Sequence, residues 1–167
     1  ETADPPEGTS VDGVSTTVQA LQRCSPTTGY SHGSPVRICV TTVDGHLVEY
    51  RTAEAFLRMR DAARRDGVWI TVNSGFRTMD QQRSLYAAYR AGRGNLAAPP
   101  GYSNHQSGLA LDLTTGGGAY SWMTRHADEF GFRRTVPSEI WHWERPPGSQ
   151  GSFSSSGHSD GSCNSQT

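Results

Sequence analysis

The sequence predicts an α+β domain with a mainly antiparallel sheet and helices packed on one side. The dipeptide Asp44-Gly45 is a strong hairpin signal between two apolar segments, residues 35–43 and 46–50. The pattern along the chain then predicts the order strands, helix, strand, helix, strand, helix, strand. Because the connections are mostly tight, neighbouring strands are expected to run antiparallel.

Two helices are predicted after the hairpin. Thr52 is expected to cap the first, which ends near Arg65. Its buried face is predicted from apolar residues at helical spacing, namely Phe56, Met59 and Ala63. Thr78 and Gln81 form a T-x-x-Q capping box that predicts the start of the second helix. The residues expected to face inward from that helix are Leu85, Ala88 and Tyr89.

The remaining elements surround one long loop. Residues 68–77 predict a central strand, and residues 109–115 predict another. An irregular loop is predicted for residues 92–108, which connect the second helix to the strand at 109–115. Loops of this length in compact domains are often functional. Residues 119–130 predict a third helix, and the aromatic-rich residues 138–145 predict a last strand.

One domain is expected over residues 24–147, between an N-terminal arm (1–23) and a Ser/Gly-rich tail (148–167). The net charge of −1 gives no reason to expect nucleic acid or an anionic membrane surface as a partner. No apolar segment approaches the roughly 20 residues that span a bilayer. We expect a monomer.

Three cysteines bear on the cellular compartment. Cys24 and Cys39 flank a turn-rich segment that could bring them together as a disulfide, although free thiols are the alternative. A disulfide would imply an oxidising compartment. Cys163 lies in the tail and would have no cysteine partner in this chain if Cys24 and Cys39 pair.

Asp112 interrupts an otherwise apolar strand pattern, GLALDL. Alternation places Leu109, Leu111 and Leu113 on one face and Asp112 with two small residues on the other. A buried carboxylate needs a cation or hydrogen-bond donors nearby, and arginine or a metal would serve.

A second unusual pattern is SEIWHWE, residues 138–144. In a strand, His142 and Glu144 would share one face and the two flanking tryptophans the other. Together with His105 from the long loop, Asp112 and His142 would make a set of three ligands suited to a catalytic Zn²⁺ with one open position. Taken singly, each residue has an ordinary explanation, and the absence of an H-E-x-x-H pair means that local spacing does not establish zinc.

Three motifs in order, SGFRTMDQQRSLY, PPGYSNHQSGLALDL and EIWHWE, resemble the zinc D-alanyl-D-alanine carboxypeptidases of the vancomycin-resistance type. These belong to the lysostaphin/D-Ala-D-Ala/hedgehog metallopeptidase group. The resemblance runs from about residue 68 to 145. The S-x-H-x-x-G-x-A-x-D pattern is complete from Ser103 to Asp112, and E-x-x-H is met by Glu139 and His142.

This resemblance implies roles for individual residues. The implied zinc ligands are His105, Asp112 and His142, in a cleft on the sheet. Glu139 would activate the zinc-bound water, and Arg77 would stabilise the developing oxyanion or hold a substrate carboxylate. The implied substrate contacts are Ser103, Gln81, Tyr86 and Trp141. In a regular strand Glu144 rather than Glu139 would share a face with His142, so Glu144 is an alternative base.

The resemblance also implies a substrate and a location. The substrate would be a peptidoglycan stem peptide cut before its terminal D-alanine, in an extracytoplasmic bacterial compartment. One alternative is a zinc endopeptidase that cuts L-alanyl-D-glutamate bonds or cross-links. A second is a non-catalytic, zinc-stabilised wall-binding domain.

Overall fold

The structure, a computed structural model, describes residues 24–149. The predicted N-terminal arm, most of the Ser/Gly-rich tail and Cys163 lie outside these residues. The architecture is α+β as predicted, but the strands form two three-stranded antiparallel sheets rather than one. In the part of the chain that is described, no helix is long and apolar enough to cross a membrane.

The first sheet has the order β1-β2-β3, formed by Ser25–Ser31, Ser34–Val43 and His46–Glu49. The predicted β2–β3 hairpin is confirmed, since Asp44 and Gly45 both have positive φ, as its tight turn requires. The strand β1 was not predicted. It pairs with β2 through a second tight turn, and the Cys24–Cys39 disulfide at the base of this hairpin is confirmed, with 5.4 Å between the Cα atoms.

The second sheet contains Asp112 and His142, two of the three predicted metal ligands. It has the order β4-β5-β6, formed by Val72–Ser74, Ala110–Leu113 and His142–Glu144. The prediction that residues 68–77 form a central strand is wrong, because β4 is only three residues long and lies at an edge. The central strand is β5, which carries Asp112.

Helix α1 spans Tyr50–Arg65 and buries Phe56, Met59 and Ala63 completely, as predicted. Its N-cap is Glu49 rather than Thr52, because Oε2 of Glu49 accepts hydrogen bonds from the backbone and side chain of Thr52. The Thr52 hydroxyl also lies 2.8 Å from the carbonyl of Gly108. Thr52 therefore links α1 to the end of the long loop.

Helix α2 spans Met79–Arg90 and begins with the predicted Thr78–Gln81 capping box. Its predicted inward face is wrong, since Leu85 is 42% exposed and Tyr89 is 38% exposed. The buried residue of this helix is Gln82, which donates a hydrogen bond to the carbonyl of Ala98 in the long loop.

Helix α3, Ala119–His126, continues into a 3₁₀ helix, Ala127–Phe130, which ends at Gly131 with φ of 83°. The hydrophobic core lies among α1, α3, the 3₁₀ helix and the inner faces of both sheets. Its largest fully buried apolar side chains are Phe56, Phe132, Met59, Ile70, Leu111, Leu113 and Met123. This core fixes β5 and β6, the two strands that position Asp112 and His142.

Candidate active site

The three predicted ligand residues converge from three segments of the chain. Asp112 and His142 are direct partners across the β5–β6 ladder, and His105 approaches from the long loop. Oδ1 of Asp112 lies 3.1 Å from Nε2 of His105 and 3.2 Å from Nδ1 of His142. All three candidate ligand atoms lie within 4.8 Å of one another.

Hydrogen bonds on the far side of each imidazole ring fix how these histidines face the centre. Nδ1 of His105 lies 2.8 Å from the backbone carbonyl of Gly75, so it donates a proton there and leaves Nε2 to face Asp112. Nε2 of His142 lies 2.8 Å from Oε1 of Glu144, and its Nδ1 faces Asp112. His105 thus presents Nε2, and His142 presents Nδ1, to the same oxygen of Asp112. Two imidazoles with one carboxylate form a donor set that fits zinc.

The charges at this centre favour an ionised carboxylate. Burial would raise the pKa of Asp112, but hydrogen bonds from His105 and His142, together with the charge of Arg77, hold it well below its usual range. Burial would lower the pKa of His142, but hydrogen bonds to Asp112 and Glu144 outweigh this and raise it to about 9. Asp112 is therefore ionised at neutral pH.

Arg77 lies beside the ligand set. Its Nη2 atom is 3.1 Å from Oδ2 of Asp112 and 3.3 Å from the hydroxyl of Ser74. Burial lowers the pKa of Arg77, and the negative charges of Asp112 and Glu139 oppose that effect. A guanidinium at this place supplies a positive charge next to the metal position.

Glu139 reaches the centre from a turn rather than from a strand. Strand β6 begins only at His142, and the backbone N–H of His142 bonds the carbonyl of Glu139, 3.2 Å away. Oε2 of Glu139 lies 3.7 Å from Nδ1 of His142 and thus on the side of the ring that faces Asp112. Glu144 contacts the other ring nitrogen, Nε2. In a regular strand Glu139 would point away from the face of His142, but the turn before β6 brings its carboxylate to the Asp112 side of the ring.

The four residues expected to contact substrate are dispersed. Ser103 is buried, and its hydroxyl accepts a hydrogen bond from the backbone N–H of His105. Gln81 and Arg77 line a cavity of about 750 Å³ that runs along β3 and the start of α2. Tyr86 and Trp141 do not line that cavity, and Trp141 is 38% exposed.

Two supporting contacts were not predicted from the sequence. The carbonyl of Gly75 has no signature in the sequence, because any residue supplies a carbonyl. The Glu144–His142 pair did have a signal, since the two residues alternate onto one face of a strand, but the sequence suggested Glu144 as a base rather than a hydrogen-bond partner of the ring.

Residues 45–145 match the sequence model of VanY, D-alanyl-D-alanine carboxypeptidase. The chain belongs to this VanY family. Among curated relatives, a D-alanyl-D-alanine carboxypeptidase of Enterococcus faecalis is 32% identical, with 60% of this chain and 48% of that protein covered. The putative carboxypeptidase YodJ of Bacillus subtilis is 26% identical, with 63% and 46% covered. The chain thus spans about half the length of the curated relatives it matches.

Solved structures of VanY-family proteins share the fold. VanYB in complex with D-alanine-D-alanine superposes with a TM-score of 0.58 at 27% identity, covering 70% of this chain and 83% of that one. A mutant of the vancomycin-resistance D,D-pentapeptidase VanY in complex with Zn(II) gives 0.55 at 28% identity, covering 64% and 77%. Strands β1 and β2 both end before residue 45, where the family match begins, so the disulfide-closed hairpin lies outside it.

Proposed function

We propose that this VanY-family chain is a zinc-dependent D,D-carboxypeptidase that removes the terminal D-alanine from peptidoglycan stem peptides. The observation that carries the proposal is the convergence of His105, Asp112 and His142 on one point, with Glu139 and Arg77 beside it. Family membership and a structural relative that binds D-alanine-D-alanine support the choice of substrate.

Zinc would be held by Nε2 of His105, a carboxylate oxygen of Asp112 and Nδ1 of His142. When bound, it would supply Lewis-acid activation of a water molecule and of the scissile carbonyl. Glu139 then acts as general base, taking a proton from the attacking water, and afterwards as general acid, returning a proton to the leaving amine of D-alanine.

Arg77 stabilises the negative charge that develops on the carbonyl oxygen, or holds the substrate carboxylate. Its contact with Asp112 and Ser74 fixes the guanidinium before substrate arrives, so little reorganisation is needed during the reaction. Both roles need a permanent positive charge, which arginine retains even when partly buried.

Further substrate contacts are assigned to Ser103, Gln81, Tyr86 and Trp141. The Ser103 hydroxyl accepts a bond from His105 and keeps its own proton for a substrate oxygen. Oε1 of Gln81 is engaged in the capping box, so substrate contact would use the amide nitrogen. Tyr86 and Trp141 would shape the outer parts of the cleft.

We place this activity in an extracytoplasmic bacterial compartment and in one domain, residues 24–147, acting as a monomer. The Cys24–Cys39 disulfide supports the location, since such bonds persist in oxidising surroundings. Peptidoglycan, the proposed source of substrate, lies in the same compartment.

One observation favours a second candidate, a zinc endopeptidase of peptidoglycan. The cavity of about 750 Å³ that Arg77 lines runs along β3 and the start of α2, and it is larger than a single alanine requires. Because none of His105, Asp112 and His142 lines this cavity, it offers room for a longer peptide on the Arg77 side of the ligand set.

The test is the product formed from L-Ala-D-γ-Glu-L-Lys-D-Ala-D-Ala by zinc-loaded protein, measured by mass with and without chelator. Chelator-sensitive loss of one alanine supports the carboxypeptidase. Cleavage at an internal bond would replace it with the endopeptidase. A protein that binds one zinc per chain and cleaves neither this peptide nor intact peptidoglycan would be a binding domain.

A further inference from the structure

We propose that Glu144 is a positioning residue that holds His142 in the tautomer whose Nδ1 lone pair faces the metal, and that ties this histidine to the loop bearing His105. The inference rests on the zinc site of the proposed function. It assigns to Glu144 a role distinct from that of the catalytic base.

Glu144 contacts the ring of His142 directly. Oε1 of Glu144 lies 2.8 Å from Nε2 of His142, and an ionised carboxylate can only accept a hydrogen bond. Nε2 must therefore carry a proton. In the neutral imidazole that a metal requires, Nδ1 is then the bare nitrogen, and this is the atom that faces Asp112 at 3.2 Å.

The position of Glu144 in strand β6 places its carboxylate beside the His142 ring. His142 and Glu144 are two residues apart in β6, so their side chains leave the same face of the sheet. Across the ladder Asp112 pairs with His142, and Ala110 pairs with Glu144. The short Ala110 side chain leaves room for the Glu144 carboxylate beside the imidazole.

The second carboxylate oxygen of Glu144 contacts the loop that bears His105. Oε2 of Glu144 accepts a 3.0 Å hydrogen bond from the side-chain amide of Asn104, the residue before His105. The backbone carbonyl of Asn104 in turn accepts the N–H groups of Leu109 and Ala110 where the loop enters β5. One carboxylate thus joins β6 to the loop, and hence His142 to His105.

The same contacts argue against Glu144 as the base. Both of its oxygens are engaged by neighbouring side chains, and the residue is 9% exposed. Glu144 lies at the Nε2 edge of the His142 ring, away from Asp112. Glu139 lies at the Nδ1 edge, on the same side of the ring as Asp112. A base must reach the attacking water, and the ring of His142 stands between Glu144 and that position.

The test is the zinc affinity of Glu144→Gln, measured by competition with a chromophoric chelator. Glutamine keeps the shape but is neutral, so its oxygen accepts from His142 without the carboxylate charge, and its NH₂ group then faces Asn104, whose own amide must turn over to accept. We expect zinc affinity to fall about 10- to 100-fold, the usual effect of losing such a partner. The double variant Glu144→Gln/Asn104→Asp restores complementary donors and acceptors, so we expect it to recover much of the affinity.

A matched control is Glu129→Gln, which disrupts the exposed Glu129–His126 pair of the same chemistry away from the site and should leave zinc affinity unchanged. Circular dichroism verifies that each variant is folded. In folded protein, unchanged zinc affinity for Glu144→Gln would overturn the proposal, as would failure of Asn104→Asp to restore it. Normal zinc affinity with hydrolysis abolished at saturating zinc would make Glu144 the base.

Zinc affinity and peptide hydrolysis are separate readouts, so the two proposals fail separately. Tight zinc binding that depends on Glu144, in a protein that cleaves no stem peptide, would overturn the proposed function and leave this inference standing. A parent protein that binds no zinc would overturn both.

Discussion

Nη2 of Arg77 donates a 3.1 Å hydrogen bond to Oδ2 of Asp112, the carboxylate oxygen that the two histidines do not contact. The two oxygens of one carboxylate therefore have different partners, with Oδ1 facing the histidines and Oδ2 facing the guanidinium. This arrangement fixes both the orientation of Asp112 and the place of the positive charge. It couples the proposed metal site to the proposed oxyanion site through a single side chain.

Substitution of Arg77 tests that coupling. We expect Arg77→Met to lower kcat/KM for the pentapeptide about 10²- to 10³-fold, because a charge aimed at the developing oxyanion is lost. Arg77→Lys should be impaired less, since it keeps the charge without the planar fork. Steady-state kinetics at saturating zinc measure both. Arg83→Met, which removes an exposed ion pair with Asp80 on the same helix, is the control and should be near the parent. Parent-like kcat/KM in Arg77→Met would remove Arg77 from the mechanism.

Glu139→Gln tests the general base. We expect turnover to fall about 10²- to 10⁴-fold, since the amide cannot take a proton from water. Zinc content should stay at one per chain, because Glu139 is not among the three ligands. Product mass and metal analysis of the same sample separate the two effects. Loss of zinc from this variant would contradict the assignment by making Glu139 a ligand, while Glu129→Gln should change neither quantity.

The candidate site residues differ in how well local sequence patterns predict them. Alternation in β5 and in SEIWHWE singled out Asp112 and His142, and the resemblance of three motifs then implied His105, Asp112 and His142 as ligands, because spacing alone does not establish zinc. Glu139 was harder, since strand alternation pointed to Glu144. The structure explains this: Glu139 lies between turn residues 137–138 and 140–141, and β6 starts only at His142, so the alternation rule does not apply to Glu139.

The secondary-structure elements divide in the same way, into those set by local sequence and those set by contacts with distant residues. The β2–β3 hairpin and α1 were predictable from turn chemistry and helical spacing. Strand β1 was missed because its Ser, Pro, Thr and Gly residues look like a loop, and it is a strand only because it pairs with β2. The face of α2 was wrong because Gln82 is buried by a bond to Ala98, a contact that periodicity does not report.

Zinc itself should stabilise the folded chain. A ligand that binds only the native state at 100 times its Kd adds about 2.7 kcal/mol to the free energy of unfolding. We therefore expect added zinc to raise the Tm of the metal-free protein, and chelator to reverse the rise. Asp112→Asn should abolish the zinc-dependent shift. A shift of equal size in Asp112→Asn would mean that zinc binds elsewhere in the chain.

The metal-free protein should lose stability as the pH rises from about 6.5 to 9. The folded state raises the pKa of His142 to about 9, above the unfolded value near 6.5. Its contribution is fully present below the unfolded pKa and is lost as the pH rises through the folded pKa. Urea unfolding in chelator at several pH values measures this, and His142→Gln should flatten the curve. An unchanged urea midpoint over that interval would contradict the prediction.

The Cys24–Cys39 disulfide should stabilise the domain and, through the hairpin, the loop that carries His105. The hairpin donates two backbone hydrogen bonds to that loop, from Tyr30 to the carbonyl of Gln106 and from Gly33 to that of Gly101. A bridge with this sequence separation of 15 contributes about 3 kcal/mol. We expect the double change of Cys24 and Cys39 to serine to lower the free energy of unfolding by about that amount, measured by urea denaturation of metal-free protein.

The control for this loss is Cys163→Ser, which leaves the bridge intact and should unfold at the same urea concentration as the parent. Because the hairpin precedes the family match, the effect also measures what this segment adds to the shared fold. If the bridge acts only on the unfolded state, the double variant will bind zinc as the parent does once folded. Weaker zinc binding in the folded double variant would show that the hairpin also holds the loop in place. An unfolding free energy equal to that of the parent would contradict the stabilising role.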